Sequence, residues 1–296
     1  MTLANSIPDI HFLSPHSPKL GVETLTIESL FNRGLDKLLA APQRVHFYHL
    51  FLFTHGKGTH SIDFTNCAYD DKTLLLVSKG QVQRFQINPA AKGFIHIFTS
   101  DFLYDNATEL NLFHSLQVFE HALFTPRIRL SAEQHQLLRE LSLIMQHEYR
   151  KPFDKLSGEI LRHLLRLILL HIGRIQEASG LSERLAPHYR KFVAFRRLIE
   201  RDMGKSRSVH YYADHLAVSP KKLNDLTRQV LNKTAKEFIE EQVILEARRL
   251  LAQGNIPIKE ISDKLGFSEP TNMVKFFKKH TRTSPAVFRH RFHPSD

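Results

Sequence analysis

Four histidines lie close together in the first third of the chain: His46, His49, His55 and His60. Imidazole is a common metal ligand, but donors on a strand share a face only at even spacing. His46 and His49 are three residues apart, and the next carboxylate after His60, that of Asp63, also follows at three. This spacing predicts no metal site and no cofactor. Since no nucleophile elbow, phosphate-binding loop or carboxylate pair occurs either, the sequence predicts no enzyme.

The same segment contains polar residues that could bind a small molecule. Arg44, His46 and Tyr48 alternate along a predicted strand and would share a face, and His55 ends that strand at a turn. A few polar groups inside an apolar barrel suit a small anionic or hydroxylated ligand. The alternative is that these are ordinary polar residues of a barrel that binds nothing.

Basic and amide side chains recur at the starts of two predicted helices near the C-terminus. Lysine and arginine neutralise phosphates, and asparagine or lysine can pair with base edges in the major groove. The predicted DNA contacts are Lys221, Lys222, Asn224, Asp225, Arg228, Thr271, Asn272, Lys275, Lys278 and Lys279. Lys275 is the expected base reader, and Lys278 and Lys279 are better placed for phosphates. The alternative for each residue is a solvated position that makes at most a phosphate contact.

Two helix-turn-helix units would position these side chains. In the first, at residues 211–230, Ser219 is expected to cap a helix that begins at Pro220, where the missing N–H costs nothing. Apolar residues at helical spacing flank this break. Two short helices joined by a tight turn are the shape that places a helix in a DNA major groove.

The second unit, at residues 258–280, has the same layout. Gly266 can adopt the left-handed conformation of a sharp turn, and Ser268 is expected to cap the next helix. That helix should bury one set of side chains and expose another. The buried set is Met273, Phe276 and Phe277, and the exposed set is Lys275, Lys278 and Lys279.

A single long helix is predicted between the two units, at about residues 234–253. Thr234 and Glu237 have the spacing of a capping box. At 1.5 Å per residue this helix is roughly 30 Å long. Because one turn of B-DNA rises roughly 34 Å, such a helix could hold two recognition helices in successive major grooves.

These motifs together resemble the DNA-binding domain of the AraC/XylS family of transcription regulators. The runs EARRLL, I-x-x-I-x-x-x-L-G-F-S and S-P-x-x-F-R stand in the family's order and spacing over about the last 80 to 100 residues. Two glycines of the family pattern are Asn232 and Arg282 here, and an aromatic pair is Asn272-Met273. The resemblance implies that the early positions of each recognition helix read bases.

The distribution of charge agrees with a DNA-binding C-terminal part. Of the net charge of +11, residues 189–296 contribute +10 (22 Lys/Arg against 12 Asp/Glu), and residues 1–188 contribute +1 (19 against 18). A basic surplus concentrated in one-third of a chain favours a polyanionic partner. The only cysteine, Cys67, excludes an internal disulfide and fits a reducing cytosol. The first residues lack the pattern of a signal peptide, so we expect a cytoplasmic protein at the bacterial nucleoid.

The N-terminal part reads as a loosely held arm followed by short strands that suggest an antiparallel barrel or sandwich. It resembles, less specifically, the cupin-like sensor domain that AraC-type regulators often carry, and an overall similarity to regulators of aromatic-acid catabolism implies an organic-acid effector. Two predicted helices follow. The second is apolar on more than one face, but Arg162, His163, Arg166, His171 and Arg174 exclude a membrane span. A second copy of this helix would cover its outer side, which predicts a homodimer.

The sequence therefore predicts a two-domain α+β chain: an N-terminal cupin-like β-barrel with dimerisation helices, then an all-α domain with two helix-turn-helix units. The expected bounds are residues 1–40 for the arm, 41–130 for the sensor domain, 131–176 for the dimerisation helices, 177–187 for a linker and 188–296 for the DNA-binding domain. The expected function is a ligand-responsive transcription activator that binds double-stranded DNA and contacts RNA polymerase. The alternatives are a metal-dependent cupin enzyme with a nucleic-acid module and a nonspecific architectural DNA-binding protein.

Overall fold

The computed structural model describes residues 9–12, 21–103, 118–119, 122, 125–178, 186–231, 233–252 and 256–290. The chain divides into two compact units at Ser179 and Gly180. The first unit is rich in strands and the second is helical. The predicted two-domain layout is thus confirmed. Of the predicted linker, residues 179–185 lie outside the described part of the chain.

The first unit contains strands and helices in the following order. The strands are β1 (Asp9–Ile10), β2 (Val22–Thr26), β3 (Gln43–Val45), β4 (Tyr48–His55), β5 (Gly58–Ile62), β6 (Thr65–Tyr69), β7 (Thr73–Val77), β8 (Val82–Phe85), β9 (Lys92–Phe98) and β10 (Arg127–Arg129). The helices are α1 (Ile27–Phe31), α2 (Asp36–Ala40), α3 (Ser100–Leu103), α4 (Ala132–Arg150) and α5 (Ser157–Gln176).

These strands form two five-stranded sheets, in the orders β1-β3-β8-β5-β6 and β10-β7-β4-β9-β2. The β1–β3 pair is parallel and the other pairs are antiparallel. Within the described residues no strand pairing joins one sheet to the other, so the sheets do not close into the predicted barrel. Of the two architectures considered, the sandwich is the one that forms.

The second sheet is buried on both faces, and successive side chains of its strands therefore enter two different cores. On β4, Phe51 and Phe53 belong to the core between the two sheets. Leu50 and Leu52 belong to a second core, which contains residues of α4 and α5. The continuous apolar run of β7, buried along its whole length, follows from the same two-sided covering.

The prediction of a loosely held arm is wrong for residues 22–40. Strand β2 pairs with β9 along its whole length, from Val22 opposite Phe98 to Thr26 opposite Phe94. Its side chains are largely buried, and α1 and α2 follow it directly. The partner strand lies about seventy residues further along the chain, which local patterns do not reveal.

Helices α4 and α5 pack against each other and cover the second sheet. The predicted capping box at the start of α4 is confirmed: the Gln134 N–H donates to Ser131 Oγ at 3.1 Å, and the Ser131 N–H donates to Gln134 Oε1 at 2.9 Å. No helix in the described part of the chain has both the length and the apolar content that a membrane crossing requires.

The second unit consists of helices, which we number onward from the first unit. They are α6 (Ala186–Asp202), α7 (Val209–His215), α8 (Pro220–Leu231), α9 (Ala235–Ala252), α10 (Ile258–Lys264), α11 (Pro270–Thr281) and α12 (Pro285–His290). The pairs α7–α8 and α10–α11 are the two predicted helix-turn-helix units. Helix α9 lies between them in sequence and contacts α8, α10, α11 and α12.

Candidate nucleic-acid interface

The first helix-turn-helix unit forms where the sequence predicts it. Helix α7 ends in a tight turn in which the Val218 N–H donates to the Ala213 carbonyl at 3.0 Å and Ala217 has a positive φ of 50°. Ser219 Oγ accepts from the Lys222 N–H at 3.1 Å, which confirms Ser219 as the cap of α8. Helix α8 then begins at Pro220, as expected.

Helix α8 directs most of its predicted DNA contacts to solvent. Leu223 and Leu226 are buried, while Lys221, Lys222 and Arg228 are exposed and Asp225 is half-buried. Lys221 and Arg228 lie off the buried stripe, because each is two positions from the nearer buried leucine, and Lys222 lies at the edge of the stripe. They are therefore accessible to a phosphate backbone.

Asn224 has a different environment from these cations. Its Nδ2 donates to the Pro220 carbonyl at 3.1 Å, and its Oδ1 accepts from the Ala235 N–H at 2.9 Å. Pairing with adenine would require the same donor and acceptor. The structure thus argues against the predicted role of Asn224 as a base reader, since it caps the first turn of α9.

The turn of the second unit depends on Gly266, which has a φ of +69° as the sequence analysis expected. A Cβ at this position would lie 2.6 Å from the Gly204 carbonyl oxygen. The predicted cap at Ser268 is wrong. Helix α11 begins later, with Glu269 as the N-cap and no side-chain capping bond, because Pro270 fixes the first helical residue.

Helix α11 has the two faces that the sequence predicts. Met273 and Phe277 are buried and Phe276 is half-buried. The exposed residues are Thr271, Asn272, Lys275, Lys278 and Lys279. Arg282 takes the left-handed conformation at the end of α11, with a φ of 58°, where the family pattern has glycine. Asn232, the other departure, lies outside the described residues.

Helix α9 is the element that joins both units. Its predicted capping box is confirmed, since the Glu237 N–H donates to Thr234 Oγ1 at 3.2 Å and the Thr234 N–H donates to Glu237 Oε2 at 2.7 Å. The hydrogen bonds that the Thr234 N–H and the Thr234 hydroxyl donate to Glu237 Oε2 lower the pKa of this carboxyl below its usual range. The 18 residues of α9 span about 27 Å at 1.5 Å per residue.

The end of α6 and the segment after it brace the second unit through contacts that no local sequence pattern indicates. The Arg207 guanidinium lies 3.7 Å from the centre of the Phe267 ring, a cation–π contact. Asp202 is inaccessible to solvent and binds Arg201 and Lys205, each at 2.7 Å. The hydrogen bonds from Arg201 and Lys205 hold the pKa of Asp202 well below its usual range.

The four predicted ligand residues of the first unit do not converge. Arg44 lies on β3 of the first sheet, whereas Tyr48 packs on Phe98 and Phe119, on the helix-covered side of the second sheet. His46 stacks on His11 with ring centres 4.5 Å apart. His55 is exposed, 3.9 Å from a carboxylate oxygen of Asp71. The assumed alternation fails because the strand is interrupted between Val45 and Tyr48.

Other histidines form the buried polar contacts of the first unit. His60 Nε2 donates to Gln83 Oε1 at 3.1 Å, and Gln83 Nε2 lies 3.4 Å from His49 Nε2. Burial lowers the pKa of His49 to about 3 and that of His60 to about 4. His96, between Thr24 Oγ1 at 2.8 Å and Ser142 Oγ at 2.9 Å, has its pKa lowered to about 3 by burial.

Nowhere in the described ranges do three His, Cys, Asp or Glu side chains converge in a way that could hold a metal ion. Cys67 is half-buried, and burial raises the pKa of its thiol.

Comparison with known proteins agrees with this interface. Residues 212–291 match the family model described as "Helix-turn-helix domain". The arabinose operon regulatory protein of Escherichia coli (strain K12) is 23% identical over 276 residues, which covers 87% of this chain and 85% of the relative. The Msm operon regulatory protein of Streptococcus mutans serotype c is 31% identical over 133 residues, covering 45% of this chain and 46% of the relative.

Solved structures also align with the chain. ToxT from Vibrio cholerae O395 aligns with a TM-score of 0.43 and 10% identity, covering 94% of this chain and 100% of that one. An AraC-type regulator from Chromobacterium violaceum aligns with a TM-score of 0.34 and 23% identity, covering 38% and 99%. Neither superposition is close enough to carry a structural argument.

Two helix-turn-helix units joined by one helix, with exposed cations on both second helices, define a DNA-binding transcription regulator. The helix-turn-helix match and the operon regulators that align with most of the chain make the assignment more specific. These similarities support a DNA-binding transcription regulator of the AraC/XylS type.

Proposed function

We propose that α8 and α11 enter successive major grooves on one side of an operator, with α9 between them. The observation that carries this proposal is the connection of both units through α9, about 27 Å long and capped at its start by Thr234, Glu237 and Asn224. That length is close to the rise of one DNA turn, roughly 34 Å.

The proposed DNA contacts are the predicted residues other than Asn224. They are Lys221, Lys222, Asp225, Arg228, Thr271, Asn272, Lys275, Lys278 and Lys279. Lys275, in the second turn of α11, reads a base, and Lys278 and Lys279, one turn later, bind phosphates. Genome-wide mapping with the full-length protein would identify operators. Footprinting them should reveal two protected segments about 10 base pairs apart, and a single segment would contradict the proposal.

The first unit acts as the sensor in this proposal. Its sandwich is related to the cupin-like domains, its effector is a small organic acid, and effector binding activates transcription by RNA polymerase at the operator. The site of action is the bacterial cytoplasm, at the nucleoid, and the chain itself catalyses no reaction. In vitro transcription from a mapped promoter, with and without candidate acids, tests this part. Repression, or no response to any acid, would contradict it.

A homodimer formed through α5 completes the proposal. Leu156, just before α5, and Ile160, Leu167 and Leu170 within it are all exposed, by 39 to 63% of their surface. Their spacing of four, seven and three residues is that of a coiled-coil seam, which a second copy of α5 would cover. The opposite side of α5, including Leu161 and Leu165, is already buried in the core.

Light scattering after gel filtration tests the dimer. The full-length protein should be dimeric at micromolar concentration, and Leu167→Glu should make it monomeric because the seam would bury an unpaired carboxylate. Val287→Glu, a change at an exposed apolar residue of the second unit, is the control and should stay dimeric. A monomeric wild-type protein, or a dimer unaffected by Leu167→Glu, would count against this interface.

A further inference from the structure

A cavity in the first unit lies where the β2–α1 corner meets the turn after α4. Its volume is about 240 Å³, below the usual size of a drug-binding pocket and sufficient for a small organic molecule. It is lined by Thr24, Leu25, Ser29, Arg33, Tyr149, Arg150, Lys151, Pro152 and Phe153. None of the ligand residues predicted from the sequence (Arg44, His46, Tyr48 and His55) lines this cavity.

The lining residues carry three positive charges and no negative charge. Two of the cations have partners: Arg33 binds Glu23 at 2.5 Å, and Lys151 binds Glu148 at 2.8 Å. Arg150 makes no ion pair with any residue that the structure describes. The cavity and its ion-pair partners thus have a net charge of +1, which an anion would neutralise.

The uncharged part of the lining suits an organic body. The ring of Phe153 meets the edge of the Tyr149 ring at a centre-to-centre distance of 5.7 Å, and both residues line the cavity. Hydroxyl groups of Thr24 and Ser29 complete the wall, although Thr24 Oγ1 is already bonded to His96. An apolar wall opposite an unneutralised cation suits a molecule with a charged group at one end.

We propose that this cavity binds a small organic carboxylate, with the carboxylate on Arg150 and Lys151 and the apolar body against Phe153. The regulatory consequence, though not the binding itself, rests on the function proposed above. The occupant would join the β2–α1 corner to the turn that leads into α5. Because α5 carries the proposed dimer seam, the site would link an acid to the dimer.

Arg150 and Lys151 also stand at the end of α4, where cations stabilise the helix dipole. That role alone would need no cavity and would give no selectivity among ligands. The unpaired full charge of Arg150 exceeds the roughly half charge of a helix C-terminus, so the site stays attractive to an anion. Ligand binding therefore distinguishes the two roles.

The test is calorimetric titration of the full-length protein, without DNA, using benzoate, phenylacetate and hexanoate as probes. At least one should bind, and Arg150→Gln should weaken it about tenfold or more, because charge-assisted hydrogen bonds are the strong ones. Arg139→Gln, an exposed position on the same helix outside the cavity, should leave the affinity unchanged. Benzamide, the neutral counterpart of benzoate, should bind more weakly than benzoate.

Several results would overturn the proposal. If none of the three acids binds, the cavity is not a carboxylate site. If benzamide binds as tightly as benzoate, the negative charge of the ligand does not contribute to binding. Competition by inorganic phosphate as strong as by the acids would contradict the carboxylate class. Affinity unchanged in Arg150→Gln would put the ligand elsewhere. Operator binding is measured separately on the same preparation, so failure of this site and failure of the proposed function are distinguishable.

Discussion

Asn224 Oδ1 accepts a hydrogen bond from the backbone N–H of Ala235 at 2.9 Å, which ties the recognition helix of the first unit to the start of α9. The first N–H groups of a helix have no partner within the helix, so this bond satisfies a group that would otherwise be unpaired. The orientation of α8 relative to α9 therefore depends on a side chain that resembles a DNA contact in the sequence.

Replacement of Asn224 tests this role. Asn224→Ala removes the cap and should lower the free energy of unfolding of the second unit by about 0.5–2 kcal/mol. Asn224→Asp keeps an acceptor for the Ala235 N–H and should retain most of that stability, although it cannot donate to Pro220. Urea unfolding of both variants measures the difference. Unchanged stability in Asn224→Ala, together with lost discrimination between operators, would restore Asn224 as a base reader.

Apart from the cap predicted at Ser268, local signals in the sequence predict the turns and helix starts of the second unit correctly. Ser219, Pro220, Thr234, Glu237 and Gly266 act through neighbours a few residues away, so their roles could be predicted. Asn224 could not be, because its partner is eleven residues distant and is reached only through the packing of α8 on α9. The pairing of β2 could not be predicted for the same reason, because its partner strand β9 lies about seventy residues further along the chain. Alternation along one strand does not place the predicted ligand residues, because the interruption between Val45 and Tyr48 changes which faces the side chains share.

Lys275 and Lys278 should differ in what they contribute to DNA binding. If Lys275 reads a base, Lys275→Ala should reduce the preference for operator over random DNA by about 1–3 kcal/mol. Lys278→Ala should weaken both complexes equally and reduce the slope of affinity against salt by about one charge. Fluorescence anisotropy at several salt concentrations measures both quantities. Equal losses on both DNAs for Lys275→Ala would make Lys275 a phosphate contact only.

The close approach of Gly266 to Gly204 should make Gly266 intolerant of a side chain. Gly266→Ala puts a Cβ 2.6 Å from the Gly204 carbonyl oxygen at a φ of +69°, and should destabilise the second unit by about 1–3 kcal/mol or more. Gly34 has the same φ of +69° but no atom within 4 Å of the added Cβ, so Gly34→Ala isolates the cost of the backbone conformation. Hydrogen exchange, resolved by unit, compares the two. Equal costs would show that the contact adds nothing.

The buried histidines predict that acid destabilises the first unit. His49, His60 and His96 have folded-state pKa values of about 3, 4 and 3, below the ordinary 6.5, because burial disfavours the charged form. The unfolded chain then binds more protons between about pH 6.5 and pH 4, so stability is fully present above pH 6.5 and falls as the pH drops through this window. Each histidine contributes a slope of about 1.4 kcal/mol per pH unit.

His49→Phe, which replaces a ring packed between Phe47 and Phe51, should reduce the total slope by that amount, as measured by urea unfolding followed by circular dichroism. Arg84→Gln, at an exposed position on β8, should leave the slope unchanged, and a slope equally steep in His49→Phe would show that His49 does not stay neutral in the fold.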